Sequence, residues 1–147
     1  MQHILIVEDD RTIAESITFI LEQDSFSCQW FDNGGDALDY VENNPVDLML
    51  LDVGLPDMSG FDVLRKLRIK SDLPVVIISA RDDESDQVLA LEGLGANGYI
   101  TKPFSPRLVV AHVRSQLDVI VLIKTLNRNS ALIKPCKKYR FIIKNSP

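Results

Sequence analysis

The chain reads as an α/β protein built on a buried parallel sheet. Five short β-branched, apolar runs alternate with stretches of helical periodicity along the first 118 residues, which is the pattern of repeated βα units. Apart from the run with Ser27 and Gln29, the runs are apolar up to their last residue instead of at every second residue, as expected for strands covered on both faces. At 147 residues the chain has enough material for one such core and little for a second.

The elements follow in order. Strand one is Ile4–Val7, and the first helix carries Ile13, Ala14, Ile17, Ile20 and Leu21 at three- and four-residue spacings. Strand two spans Ser27–Phe31; Gly34-Gly35 opens a second helix, which Asn43-Asn44-Pro45 stops. Strand three is Leu48–Asp52, and Ser59 is placed to cap a third helix with Phe61, Leu64 and Leu67 on its inner face. Strand four is Val75–Ser79, followed by a fourth helix from about Glu84 to Leu94 that Gly93, Gly95 and Gly98 end or loosen. Strand five is Tyr99–Thr101, and Ser105-Pro106 begins a fifth helix extending past Leu117. From about Asn127 no convincing period remains, and Pro135 with Lys137-Lys138-Tyr139-Arg140 reads as a linker or disordered end. The expected division is a domain over residues 1–120 and a helical extension with a basic tail over 121–147.

Composition narrows the function classes. An apolar content of 46% and a charged content of 25% are ordinary for a globular protein. The start lacks a signal-peptide pattern, and the run Val119–Ile123 is far short of a bilayer span. Cys28 and Cys136 have no CxxC spacing, and a reduced, cytoplasmic protein is expected. All 21 acids and nine of the 16 Lys and Arg residues lie at or before Asp118, a net charge of −12; the remaining seven bases make the tail +7. So acidic a body is a poor surface for phosphates, which argues against direct nucleic-acid binding. The basic tail with Tyr139 and Phe141 has no recognition-helix pattern to reverse that reading.

The chemistry is concentrated at strand ends. Strand one runs into Glu8-Asp9-Asp10, strand three ends in Asp52 and enters the turn Val53-Gly54-Leu55-Pro56-Asp57, and strands four and five end at Ser79 and Thr101-Lys102-Pro103. Open α/β sheets place their ligands at this edge. Two like charges about 4 Å apart cost roughly 4 kcal/mol at an effective dielectric near 20, so a cluster of these acids needs counter-charge. Lys102 supplies one positive charge, and a divalent cation is the natural remainder. All-oxygen donors without histidine point to Mg²⁺. A carboxylate beside that ion can attack phosphorus and become an acyl phosphate. Lys102 would neutralise the transferring oxygens, the Ser79 hydroxyl would donate to one of them, and Gly54 would let its backbone carbonyl approach the metal.

Taken together, Glu8-Asp9, Leu51-Asp52-Val53-Gly54-Leu55-Pro56, Ser79-Ala80 and Gly98-Tyr99-Ile100-Thr101-Lys102-Pro103-Phe104 resemble the receiver domain of bacterial two-component response regulators over about residues 2–120. The resemblance implies a doubly wound, flavodoxin-like five-stranded parallel sheet in the order 2-1-3-4-5 with five helices, an architecture for which a chemotaxis receiver is a standing example. It implies Asp52 as phosphoacceptor from a sensor histidine kinase. Asp9, Asp52 and the Gly54 carbonyl would be direct Mg²⁺ ligands, with Glu8 acting through water. Lys102 would pair with the phosphoryl group across a cis Lys102–Pro103 bond, and Ser79 and Tyr99 would form the switch pair. It further implies that the domain is a regulatory part rather than an enzyme acting beyond its own phosphorylation and dephosphorylation. The output would be a transcriptional or other effector domain or partner, with a homodimer through the fourth-helix, fifth-strand and fifth-helix face as the usual assembly.

Two features depart from that pattern. Lys102 follows Ser79 by 23 positions, one more than receivers usually have, and the extra residue is expected around Glu92-Gly93-Leu94-Gly95. Asn97 and Gly98 stand where acids often form intersubunit ion pairs. Among plainer roles, Asp10 is expected to cap the first helix, and His3 and His112, which lack partners at ligand spacing, to be structural. Leu108 and Val119–Ile123 put apolar groups where a lone helix should be polar, as a cover for a neighbouring subunit or second domain would. Two alternatives compete. Ile4 to Thr12 faintly resembles the first-strand motif of haloacid-dehalogenase-type phosphatases, but with Glu8 as nucleophile. The other is a receiver-like scaffold that binds partners without phosphorylation.

Overall fold

The computed structural model describes residues 1–129. Cys136, the cluster Lys137-Lys138-Tyr139-Arg140 and most of the expected tail lie outside the described residues. The elements run β1 (His3–Val7), α1 (Arg11–Gln23), β2 (Ser27–Phe31), α2 (Gly34–Asn43), β3 (Leu48–Asp52), α3 (Gly60–Lys70), β4 (Val75–Ser79), α4 (Glu84–Val88), β5 (Gly98–Thr101) and α5 (Pro106–Asn129). The strands form one parallel sheet in the order β2-β1-β3-β4-β5, as expected.

Alternation along each strand builds two cores at once, because successive side chains point to opposite faces. Leu5, Val7, Met49, Leu51, Val75 and Ile77 pack on one face with Val63, Leu64 and Leu67 of α3. Ile4, Ile6, Leu48, Leu50, Val76 and Ile78 pack on the other with Ala14, Ile17 and Leu21 of α1 and Val109, Val113 and Leu117 of α5. The uninterrupted apolar runs are thus two interleaved half-patterns. His3 staples one end of the sheet: Nδ1 lies 2.6 Å from the Ser27 hydroxyl and Nε2 2.7 Å from that of Tyr40. His112 is buried on α5, so both histidines take structural places.

Side-chain caps fix where helices begin. The Asp10 carboxylate accepts from Thr12 N at 2.9 Å and Ile13 N at 3.3 Å, and Ser59 Oγ accepts from Phe61 N at 3.1 Å, both as read from the sequence. Helix α2 is held twice. Asn33 caps it through Asp36 N, and Asp57, from the β3–α3 loop, accepts from Gly34 N at 2.9 Å and Gly35 N at 2.8 Å.

The fourth helix differs from the expected single run over Glu84–Leu94. It is α-helical only over Glu84–Val88 and then widens into a π turn over Leu89–Gly93, closed by Leu94 N donating to Leu89 O at 2.8 Å. A π turn holds one residue more than the α-helical turn it replaces. This one overlaps, at Glu92 and Gly93, the stretch where the additional position between Ser79 and Lys102 is expected. Beyond it, Arg68 of α3 donates to Gly95 O at 3.0 and 2.9 Å, to Leu73 O at 2.6 Å and to Asn97 Oδ1 at 3.0 Å. Asn97 Oδ1 also accepts from Val75 N at 3.0 Å, and Asn97 O from Gln116 Nε2 at 2.9 Å. Asn97 thus joins α3, β4 and α5.

Helix α5 continues without a break to Asn129. Along its far part Val121, Leu122 and Leu126 are exposed. No helix among the described residues is long and apolar enough to cross a membrane.

Candidate phosphoacceptor and metal site

The parallel register brings the ends of β1, β3, β4 and β5 to one edge of the sheet. Val7 pairs with Leu51, Asp52 with Ile78 and Ser79 with Thr101, so Glu8, Asp52, Ser79 and Lys102 emerge side by side. Three of these polar residues are almost wholly enclosed: Glu8 is 3% exposed, Asp52 6% and Ser79 2%. Lys102 reaches into the cluster and donates to Glu8 Oε1 at 2.7 Å and Asp52 Oδ1 at 3.2 Å. Its own backbone N–H donates to Ser79 O at 2.7 Å, and the Lys102–Pro103 bond is cis.

Carboxylate oxygens of Glu8, Asp9 and Asp52 lie within 4.8 Å of one another. One lysine does not satisfy them all: Glu8 Oε2 is buried without a hydrogen-bond partner. A hard divalent cation, which takes oxygen donors and brings its own waters, fits this set of groups. Gly54, beyond the end of β3, is exposed, and a Cβ there would stand 3.8 Å from Asp52 Oδ2, the oxygen that Lys102 does not use.

The electrostatics show the strain of gathering like charges. Burial pushes the Glu8 carboxyl up to about 8; the neighbouring Asp52 carboxylate pushes it the same way, and Lys102 opposes both. For Lys102, burial acts to lower the ammonium's pKa, yet its hydrogen bond to Glu8 and the charges of Asp52 and Glu8 outweigh it and hold the group above its ordinary value. Cys28 is unlike these groups. Burial, with help from the Glu22 charge, pushes its thiol up to about 12, which favours the protonated form.

Ser79 and Tyr99 meet through one backbone residue. Ser79 Oγ accepts from Arg81 N at 2.9 Å, while the Tyr99 hydroxyl donates to Arg81 O at 2.8 Å. The Tyr99 ring is 2% exposed, so it already points inward; burial pushes its phenol up against the opposing hydrogen bond with Ser79. The Ser79 hydroxyl faces its own loop, and no hydrogen bond joins it to Asp52 or Lys102 among the described residues.

Some contacts were not visible in the sequence. The Trp30 indole donates to the backbone carbonyl of Glu8 at 2.7 Å, and Asp57 ties the loop after Asp52 to α2. A lone tryptophan on an edge strand, whose N–H needs an acceptor when buried, was the one available signal.

Comparison with known proteins places this geometry. Residues 4–114 match the family model of the response regulator receiver domain, and the chain belongs to that family. Among curated relatives it is 44% identical over 113 residues to the transcriptional regulatory protein CreB of Escherichia coli, covering 76% of this chain and 49% of that protein. It is 43% identical over 117 residues to the sensory transduction protein RegX3 of Mycolicibacterium smegmatis, covering 80% and 51%. Among solved structures, a CheY-like receiver domain protein from Methanospirillum hungatei superposes with a TM-score of 0.75 at 31% identity, covering 80% of this chain and 94% of that one. The chain thus spans about half the length of the curated relatives it matches. It is a receiver of the two-component response regulators, a family that works with sensor kinases and effector domains and generally binds Mg²⁺. Family membership decides against the haloacid-dehalogenase-type alternative.

Proposed function

We propose that Asp52 accepts a phosphoryl group from the phosphohistidine of a sensor histidine kinase, and that the modification resets the β4–α4–β5–α5 surface. The observation that carries this reading is the buried Asp52 carboxylate, bonded to Lys102 at 3.2 Å within a cluster of three acids. An Asp52 oxygen attacks phosphorus as the bond from phosphorus to the imidazole nitrogen breaks, and the imidazole, carrying a proton on its other ring nitrogen, takes the electron pair and departs as neutral histidine. Water later attacks the acyl phosphate and releases inorganic phosphate. Asp9, Asp52 and the Gly54 carbonyl would hold Mg²⁺ directly, with Glu8 acting through one of its waters. When bound, the ion supplies positive charge opposite the transferring oxygens. Lys102 balances a further oxygen of the phosphoryl group. The domain so described is not an enzyme acting on other substrates.

The new group adds about −1.5 to −2 charges. Ser79 would exchange Arg81 N for a phosphoryl oxygen, freeing the Arg81 backbone to which Tyr99 is also bonded. Moving a switch from 1:99 to 99:1 takes roughly 5.5 kcal/mol of differential interaction, within reach of a few charge-assisted hydrogen bonds at about 1.5–3 kcal/mol each.

Residues 1–120 would be the receiver, and residues 121–147 a helical extension and basic tail leading to a transcriptional or other effector domain or partner. The setting would be cytoplasmic. Exposed Val88, Leu89 and Leu108 favour a homodimer through the α4–β5–α5 face. Asn97, whose side-chain oxygen is bonded to Arg68 and Val75, takes no part in an intersubunit ion pair there.

Mass spectrometry after incubation with acetyl phosphate and Mg²⁺ tests the chemistry. One phosphoryl group is expected on the unchanged chain and none on Asp52→Asn. Modification that survives the substitution would move the acceptor elsewhere, and a chain that no donor modifies would favour a phosphorylation-independent scaffold.

A further inference from the structure

The proposed metal ligand Asp9 is exposed and lies just past the end of β1, so something must set its direction. Both backbone polar groups of the preceding residue are held by β2: Glu8 N donates to Phe31 O at 3.1 Å, and Glu8 O accepts from the Trp30 indole at 2.7 Å. That carbonyl belongs to the planar peptide unit joining Glu8 to Asp9. Pinning it fixes the turn of the backbone about Glu8 and the approach of the chain into Asp9. On the other side Asp10 is held as the cap of α1, with φ −81° and ψ 110°. Asp9 therefore sits between two immobilised peptides.

We propose that Trp30 is a positioning residue for the divalent-cation site, acting through its indole N–H on the Glu8–Asp9 peptide. The inference rests on the reading of Asp9 as a metal ligand. Register explains why β2 can do this: Trp30 pairs with Ile6, two positions before Glu8, and its long side chain covers that distance along the strand. The indole is a donor only, with no acceptor to offer a carboxylate or a bound ion, and it has only two rotatable side-chain bonds. Phenylalanine or valine at this position would fill the same core without touching the carbonyl. The ring also borders an open hollow with Phe19 and Cys28, so replacing it with a ring of similar size does not require the core to repack.

The chain has a single tryptophan, which makes a clean test possible. Biosynthetic replacement by benzothienylalanine changes only position 30, keeping the bicyclic shape while deleting the N–H; Trp30→Phe is the second variant. Mn²⁺ binding to the full chain is followed through the electron paramagnetic resonance of the free ion, with Mg²⁺ in competition, and unfolding is measured on the same samples. Both replacements are expected to raise the dissociation constant by about three- to tenfold, the amount one hydrogen bond contributes. Leu117→Ala serves as the stability control. It lies eleven residues into α5, roughly 16 Å along the helix from the site end at 1.5 Å per residue, and should lower stability while leaving the constant unchanged. Equal Mn²⁺ affinity in wild type and both replacements would overturn the role of Trp30 and leave the metal site standing. Weakening by Leu117→Ala as large as that by the replacements would also overturn it. A wild-type chain that binds no Mn²⁺, or binds it no better than Asp9→Asn, would remove the metal site and this inference with it.

Discussion

Two stretches that meet at the same sheet edge are held in opposite ways. At the ends of β1 and β3, Glu8 is fixed through its N–H, its carbonyl and one carboxylate oxygen, and Gly60 packs directly behind the Asp52 backbone. Between β4 and β5, α4 contributes no buried residue over Glu84–Val88, then opens into a π turn beyond which Arg68 clamps Gly95 O. Charge must be concentrated at the first place, and only a rigid surround keeps unlike and like charges at workable distances. At the second place a change of shape has to be cheap, and the first part of α4, Glu84–Val88, commits no buried side chain to the core.

The largest expected effect comes from breaking the rigid side. A Cβ on Gly60 would fall 2.2 Å from Asp52 O and 2.8 Å from Val53 Cα, both backbone atoms that cannot step aside. Gly60→Ala should cost about 3 kcal/mol or more, seen as a lower denaturation midpoint at unchanged slope. It should also slow phosphorylation, because the displaced backbone carries Asp52. A variant as stable as wild type would mean that the loop after β3 is softer than its contacts imply.

Arg68→Ala probes the other side. It strips donors from Gly95 O, Leu73 O and Asn97 Oδ1, and about 2 kcal/mol should be lost at this half-buried clamp. Hydrogen exchange should quicken in residues 89–97 and hold steady in residues 4–8. Acceleration spread evenly over the sheet would erase the contrast between the two regions.

The same division separates what could be read in the sequence from what could not. Strands β1 to β5, the caps Asp10 and Ser59, and the gathering of Glu8, Asp52, Ser79 and Lys102 follow from local patterns repeated at each βα unit. The π turn does not: a count of positions points to the end of the fourth helix, but no local pattern marks the turn over Leu89–Gly93, in which Ala90 and Leu91 are buried. Trp30 to Glu8, Arg68 to Gly95 and Asp57 to Gly34 join residues 22, 27 and 23 positions apart. No local propensity encodes such contacts, because they exist only once the sheet has set the distance between elements. The inward Tyr99 ring belongs with them, since its hydroxyl takes its acceptor from a loop of another unit.

The smallest effect joins the rigid loop to α2. The hydrogen bond from Gly34 N is the largest influence on the Asp57 carboxyl; burial opposes it, and further hydrogen bonds from Gly35, Asp57 and Met58 backbone groups help hold the group below its ordinary range. Ionised Asp57 also complements the positive end of α2. The residue is exposed, so solvent weakens the interaction, and Asp57→Ala should cost about 1 kcal/mol near neutral pH, or about 3–5 °C in the thermal midpoint. The sign with pH follows from the lowered pKa. The folded chain releases this proton more readily than the unfolded one, so the stabilisation is complete above the unfolded value of about 3.9 and disappears as pH falls through the lower folded value. Melting curves of wild type and Asp57→Ala should therefore be separated at pH 6 to 7 and draw together in acid. A gap that stays constant down to the point of acid unfolding would show that Asp57 acts through packing or backbone shape, and that the loop after Asp52 is not tied to α2 by charge.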